Sequence, residues 1–322
     1  MKVVHSTRYH IDIGSHVFPT RKYDLVLARL LESGVIQAAD VIAPEPASWD
    51  ELALVHTPEY LAKMRAGTLS REDIAQLELP WSVEMVDAFR TMVGGTIQAA
   101  RIACGMREGL EADPYHHSIG HSADSAPDVA CHIGGGLHHA FPNHGEGFCP
   151  FNDVAVAARD LLCRGLERIA IVDLDVHHGN GTAFVFAADP SVFTFSMHQQ
   201  HNYPMWKPAG SLDIGLADGT GDETYLRELE QALPTVLAGD PQCVFYLAGA
   251  DPYEDDQLGG LRLTRDGLRR RDRLVIERVT SAGLPLVVTL AGGYARHGED
   301  TVAIHAATIE EARNATTKMG RN

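Results

Sequence analysis

Apolar residues recur at helical spacing over residues 23–32, 58–64 and 83–106 in the N-terminal third of the chain. In the last of these, Met85, Val86, Phe89, Val93 and Ile97 share one face, which predicts a long amphipathic helix. Gly34 closes the first helix, residues 2–5 read as a strand, and residues 44–49 read as a loop. From residue 129 the pattern changes. Continuous apolar runs at 129–133, 169–174, 192–197, 243–248 and 286–290 alternate with helical stretches at 154–163, 223–237 and 265–281. Such runs between helices indicate strands buried on both faces, joined by crossover helices. The reading is a single α/β domain over residues 1–322, doubly wound, with a central, mainly parallel sheet and helices on both faces. No repeat, low-complexity tract or linker divides it.

Each predicted strand runs into polar or glycine-rich sequence. The five segments that follow are GGGLHHA (134–140), DVHHGNG (175–181), SMHQQHNYP (196–204), AGADPYEDD (248–256) and AGGYARHG (291–298). In open α/β sheets, ligands bind beyond the carboxyl ends of the strands. Five strand ends bearing His, Asp, Tyr and Gly therefore converge on one mouth, which is the pattern of an enzyme.

Composition narrows the picture. With 27 Lys+Arg against 43 Asp+Glu, the net charge is −16, and such a surface repels phosphate, so nucleic acid is not the expected partner. The five cysteines are scattered without a CxxC pair, which fits a reducing compartment. No apolar run of about 18 residues predicts a membrane span, and the first residues lack the apolar core of a signal peptide. The expected location is the cytoplasm, and the oligomeric state is left open.

The candidate chemistry lies at the strand ends. In extended chain, residues two apart share a side, so Asp175 and His177 can aim at one point with Asp173 behind them. Asp251 ends another strand. Any one of these alone would read as a cap or turn residue. Together, two carboxylates and an imidazole make a three-ligand catalytic metal site with a position open for water. The pair His138–His139 follows glycines that let backbone approach a ligand, Gly136 last among them, and two histidines beside such a water can share acid and base work. Asp173 and Asn180 are the candidate partners that set their tautomers. Tyr294, after Gly292 and Gly293, can donate to a developing oxyanion. Phe148 and Tyr203 can wall an apolar channel. His116, His117 and His121 sit in a Ser/Asp/Pro-rich stretch, read as a solvated loop in preference to a second metal site.

As an ordered set, IGGGLHHA (133–140), GFCPFNDVAVAA (147–158), IVDLDVHHGNGT (171–182), FSMHQQHNYP (195–204), LAGADPYEDDQLGGLRLT (247–264) and LAGGYA (290–295) resemble the zinc-dependent histone deacetylase family of the arginase–deacetylase fold. Residues 16–31 and 52–61 resemble its N-terminal helices. The Gly-Gly-Leu-x-Leu-Thr segment, Asn180 and the triple glycine look most like class IV and its bacterial relatives. The resemblance implies one Zn²⁺ per chain on Asp175, His177 and Asp251. It implies His139 as general base and then acid, His138 as its electrostatic partner, Asp173 and Asn180 as their orienting groups, and Tyr294 polarising the scissile carbonyl. Gly147 would offer its carbonyl to the substrate amide, while Phe148, Tyr203 and Leu258 would line an acyl-lysine channel. It further implies structural K⁺ near Asp173, Asp175, His177, Ser196 and Met197, and a second at Phe186, Asp189 and Val192. Residues 111–129 match no motif of the family, and its acidic rim residue is left unassigned.

The implied reaction is hydrolysis of Nε-acyl-lysine in a peptide or protein by metal-activated water with His and Tyr assistance. An acetylpolyamine amidohydrolase acting on a small acylated amine uses the same chemistry, and an inactive acyl-lysine binding module is the non-enzymatic alternative. Arginase-type ureohydrolases share the fold but need two further carboxylates. Here those positions are Gly179 and Tyr253, which favours one metal.

Overall fold

A computed structural model of the chain describes residues 1–106 and 129–319. The histidines at 116, 117 and 121 lie outside the described residues. Eight strands form one sheet: β1 (Lys2–Val4), β2 (Val41–Ile42), β3 (Val129–His132), β4 (Ile169–Asp173), β5 (Val192–Gln199), β6 (Leu212–Leu216), β7 (Cys243–Leu247) and β8 (Leu286–Thr289). Their order is β2-β1-β3-β8-β7-β4-β5-β6, and every pairing is parallel. Strands β3, β4, β7 and β8 are buried at every position, as their unbroken apolar runs require.

Ten α-helices lie among the described residues: α1 (Lys22–Glu32), α2 (Trp49–Leu52), α3 (Pro58–Ala66), α4 (Arg71–Leu77), α5 (Val83–Ala103), α6 (Asp153–Cys163), α7 (Asn180–Phe186), α8 (Asp222–Leu237), α9 (Arg265–Ser281) and α10 (Gly298–Met319). Helix α5 packs on β1, β3 and β8 and against α6. The group α1, α10, α9 and α8 packs in series, with α10 on β3, α9 on β8, and α8 on β4 and β5. Both groups touch the central strands, so the sheet is covered on both faces. This is the doubly wound α/β architecture of the arginase–deacetylase fold.

Local signals set the boundaries. Side chains of Ser82, Asn152 and Thr264 accept from the backbone N–H three residues on and start α5, α6 and α9. Helix α5 stops at Ala103, short of residue 106, because Gly105 turns to φ +66 and the N–H of Met106 returns to the carbonyl of Arg101 at 2.8 Å. Short α2 and α4 lack a readable apolar period, although capping boxes at Ser48–Glu51 and Ser70–Asp73 mark both. Edge strand β6 alternates between exposed and half-buried positions and so escapes a search for continuous apolar runs.

Candidate metal centre

The carboxyl ends of β3, β4, β5, β7 and β8 meet at a cavity of about 200 Å³. Gly136, His138 and His139 reach it from β3, Asp175 and His177 from β4, Tyr203 from β5, Leu258 from the chain after β7, and Gly292 and Tyr294 from β8. Gly147 and Phe148 complete the wall.

Strand β4 ends at Asp173, so Asp175 and His177 are not brought together by continued extension. Instead, the chain bends and each carboxylate catches the next backbone. Asp173 Oδ1 accepts from Asp175 N at 3.1 Å, and Asp175 Oδ1 from His177 N at 3.0 Å. One ligand-type atom from each of Asp175, His177 and Asp251 lies within 4.8 Å of the others, all buried. His177 Nδ1 is 3.0 Å from Asp175 Oδ1 and 3.5 Å from Asp251 Oδ2. Asp251 Oδ1 takes the Val176 N–H, while its Oδ2 is a buried oxygen with no hydrogen-bond partner among the described residues. Buried polar atoms are rarely left so. An orphaned carboxylate oxygen facing an imidazole and a second carboxylate is what a divalent metal would satisfy, so the residues fit the ion. Burial and then the Asp175 charge push the Asp251 carboxyl up to about 7 in the metal-free protein. Burial opposes charge on His177, but Asp175 and Asp251 outweigh it and hold the imidazole up at about 10.

Close approach explains the glycines. A Cβ at Gly292 would lie 2.0 Å from Asp251 Oδ2, and one at Gly249 would lie 2.7 Å from Asp251 Oδ1. The Gly292 N–H donates to Asp175 Oδ2 at 2.8 Å. Gly293 turns the chain beside Ala250 but does not line the cavity.

The two histidines differ in partner. His138 Nδ1 meets Asp173 Oδ2 at 2.6 Å, and His139 Nδ1 meets Asn180 Oδ1 at 2.7 Å. Their Nε2 atoms are 3.1 Å apart, so only one hydrogen lies between them. Burial alone would lower His138, but Asp173 and Asp175 reverse this and hold it up at about 9. Burial, reinforced by the charges of His138 and His177, pushes His139 well below its usual value. The pair therefore carries its proton on His138, with His139 neutral. Burial and the nearby Asp175 and Asp251 charges keep the Tyr294 hydroxyl protonated, hence a donor.

The residues implied for potassium fall into two places. Asp173 pairs with Ser196 across β4 and β5, with Met197 next and His177 beyond; the Ser196 hydroxyl lies 3.0 Å from His198 Nδ1. Phe186, Asp189 and Val192 form the turn from α7 into β5.

Several site residues were not singled out by sequence. Asp256 takes the N–H groups of Leu258 and Gly259 on one oxygen and that of Tyr294 on the other, so one carboxylate sets two cavity residues. Buried Arg271 donates to the carbonyls of Leu174 and Gly249, tying together the two strand ends that carry the triad. Lys22 is buried, donates to Ala291 O at 2.9 Å, and lies over the Tyr294 ring. Glu78 lines the cavity as an acidic group. Of the four described non-glycine residues at positive φ, three (Glu78, Phe148 and Ala291) line the cavity, which locates backbone strain at this site.

The histone deacetylase domain model matches residues 16–309. An uncharacterized protein of Picosynechococcus sp. is 42% identical, covering 93% of each chain. Histone deacetylase 2 of Arabidopsis thaliana is 28% identical over 94% of this chain and 77% of its own. In fold, the chain is similar to the crystal structure of a histone deacetylase homologue from Aquifex aeolicus, with TM-score 0.76 at 23% identity, covering 97% of this chain and 83% of that one. The converging strand ends, the buried Asp–His–Asp triad and these matches lead to one conclusion: the chain belongs to the histone deacetylase family and is an amide-cleaving hydrolase, a deacetylase.

Proposed function

We propose that this chain removes acyl groups from Nε-acyl-lysine as a zinc-dependent amidohydrolase. The observation that carries the reading is the shape of the site: a cavity walled by Phe148, Tyr203 and Leu258 that reaches Asp175 and His177 of the triad and a histidine pair whose Nε2 atoms lie 3.1 Å apart. Asp175, His177 and Asp251 would hold the zinc. When bound, it supplies Lewis-acid polarisation of the amide carbonyl and a lowered pKa for water. Neutral His139 accepts the proton of the attacking water. Tyr294 donates to the amide oxygen as negative charge builds there. His138, charged by Asp173, adds positive potential, and a protonated histidine then gives its proton to the leaving amine. A free amine and a carboxylate leave. Glu78 at the cavity wall would face the backbone N–H groups or a cationic amine of the substrate. The reading carries with it structural K⁺ at the two places described above, and a cytoplasmic location.

The test is a substrate panel on zinc-loaded protein: acetyl-, octanoyl- and myristoyl-lysine peptides against acetylputrescine and acetylspermidine. Turnover of at least one acyl-lysine peptide with higher kcat/KM than either polyamine is expected. Turnover confined to acetylpolyamines would replace the reading by the small-amine one, and binding of acyl-lysine without turnover would replace it by the binding module.

A further inference from the structure

Glu146 has no part in the chemistry above, yet four side chains converge on it. Its Oε1 accepts from Asn180 Nδ2 at 2.7 Å and from the Tyr203 hydroxyl at 2.9 Å. Its Oε2 accepts from Gln76 Nε2 at 3.1 Å and lies 3.4 Å from His144 Nε2. The Glu146 backbone is fixed as well, since its N–H and C=O pair with those of Cys149 at 3.2 and 2.9 Å.

A side-chain amide can turn either its oxygen or its NH₂ toward a neighbour. A carboxylate can only accept. With Glu146 on one side, the NH₂ of Asn180 must face it, and Oδ1 must face His139 Nδ1. That oxygen only accepts, so the hydrogen of neutral His139 must sit on Nδ1. Nε2 is then the nitrogen that carries the lone pair, on the side of His138 and the cavity. The reversed amide would set NH₂ against Nδ1, drive the hydrogen to Nε2, and leave no base there. We infer that Glu146 is a positioning residue that fixes the orientation of Asn180 and, through it, the tautomer of His139. The same oxygen anchors Tyr203, so one carboxylate ties the base to the channel wall. This rests on the reading of His139 as general base. Burial works against charge on Glu146, but hydrogen bonds from His144, Asn180, Tyr203 and Gln76 hold its carboxyl down at about 2, so it remains an acceptor across the working range.

The test combines ¹⁵N-histidine NMR with kinetics on zinc-loaded protein, comparing wild type, Glu146→Leu, Glu146→Gln and Tyr203→Phe. Wild type should show His139 with hydrogen on Nδ1. Glu146→Leu fills the volume without accepting, and should move hydrogen to Nε2 while kcat falls about 10- to 100-fold. Glu146→Gln keeps a carbonyl oxygen toward Asn180 and should restore the tautomer and bring kcat to within about threefold of wild type. Tyr203→Phe should change KM and leave the tautomer alone. Hydrogen on Nε2 in the wild type overturns the inference, whatever the variants do. Persistence of the Nδ1–H form in Glu146→Leu also overturns it, even if activity falls. If the tautomer switches as expected but no acyl substrate is hydrolysed by wild type, the positioning role stands and the functional reading fails, so the two failures are distinct.

Discussion

Gly292→Ala sets a single added carbon against Asp175 and Asp251, the proposed metal ligands. Its Cβ would stand 2.0 Å from Asp251 Oδ2 and 2.6 Å from Asp175 Oδ2, where ordinary contact begins at 3.4 Å. The Asp251 oxygen would have to retreat by more than about 1 Å, and a close-packed interior offers no space for that. Asp251 is 0% exposed and Asp175 1%. The Val176 N–H holds the other oxygen of Asp251, so the carboxylate cannot swing without breaking that bond as well. Metal–ligand distances tolerate only about 0.2 Å, so the substitution should remove at least one carboxylate from the triad. Disturbing a group behind a ligand already costs about 10- to 100-fold in metal affinity, and losing a ligand should cost at least about 100-fold. Metal-linked stabilisation follows RT ln(1 + [L]/Kd), so at saturating metal a 100-fold loss removes about 2.7 kcal/mol. Metal content after gel filtration, together with thermal denaturation across a zinc titration, measures both. Gly239→Ala is the control, because a Cβ there meets nothing within 4 Å among the described residues. It should leave metal binding unchanged and gain about 0.4–1 kcal/mol through the unfolded state. If Gly292→Ala bound one equivalent of zinc with wild-type affinity, Asp175 and Asp251 would not be the ligands.

Tyr294→Phe should keep its zinc and its fold yet lose about 10²–10³ in kcat, the usual effect of removing one oxyanion donor; an unchanged kcat on an acyl-lysine peptide would exclude Tyr294 as electrophile. Purified protein should contain one zinc per chain at the triad, and a second catalytic metal at full occupancy by elemental analysis would contradict the single-metal reading. Burial lowers His56 to about 4 and His132 to about 3, so the folded protein resists protons that the unfolded chain takes up below pH 6.5. Stability should therefore be present above about pH 6.5 and decline as pH falls toward 4, and denaturant midpoints that stay flat over that window would refute this assignment.

Most of the sheet could be read from the sequence because its strands are buried on both faces and so appear as uninterrupted apolar runs. The same periodicity identified the polar strand ends, and the triad, the histidine pair and Tyr294 were found as residues that depart from the run at its carboxyl end. What could not be read depends on contacts between distant segments. Lys22 sits at the start of an amphipathic helix, where a lysine is ordinarily a solvated charge, but folding seals it beneath the Ala291 carbonyl, and burial lowers it to about 8. Arg271 looks like one more charge in RRRDR, yet the packing of α9 carries it into the core, where Asp272 neutralises it. Asp256 and Glu146 lie in acidic or glycine-rich loops where a carboxylate usually faces water. Their importance comes from which N–H and O–H groups the fold delivers to them, and no linear spacing encodes that. The Asp175–His177 convergence was foreseen for a reason the structure replaces: successive Asx-type hydrogen bonds bend the chain where continued extension was expected.

Asn180→Asp shows how far that hidden neighbour changes an expectation. Judged by its partner alone, His139 beside a carboxylate should hold its proton to higher pH, and the acidic limb of the kcat/KM profile should move up. But the substituted carboxylate would lie where Asn180 Nδ2 now sits, 2.7 Å from Glu146 Oε1. Two carboxylates at that distance do not both ionise. Glu146 keeps three other donors, from Tyr203, Gln76 and His144, so the shared proton belongs on the new aspartic acid. In that form its O–H donates to Glu146 and its carbonyl oxygen accepts from His139 Nδ1, reproducing the amide. The single variant should therefore keep an acidic limb close to wild type. In Asn180→Asp with Glu146→Gln the repulsion is gone, the aspartate ionises, and His139 should hold its proton to distinctly higher pH. The comparison is made on one acyl-lysine peptide at matched zinc content. An acidic-limb shift already as large in the single variant as in the double would mean that Glu146 is not what keeps the group beside His139 neutral.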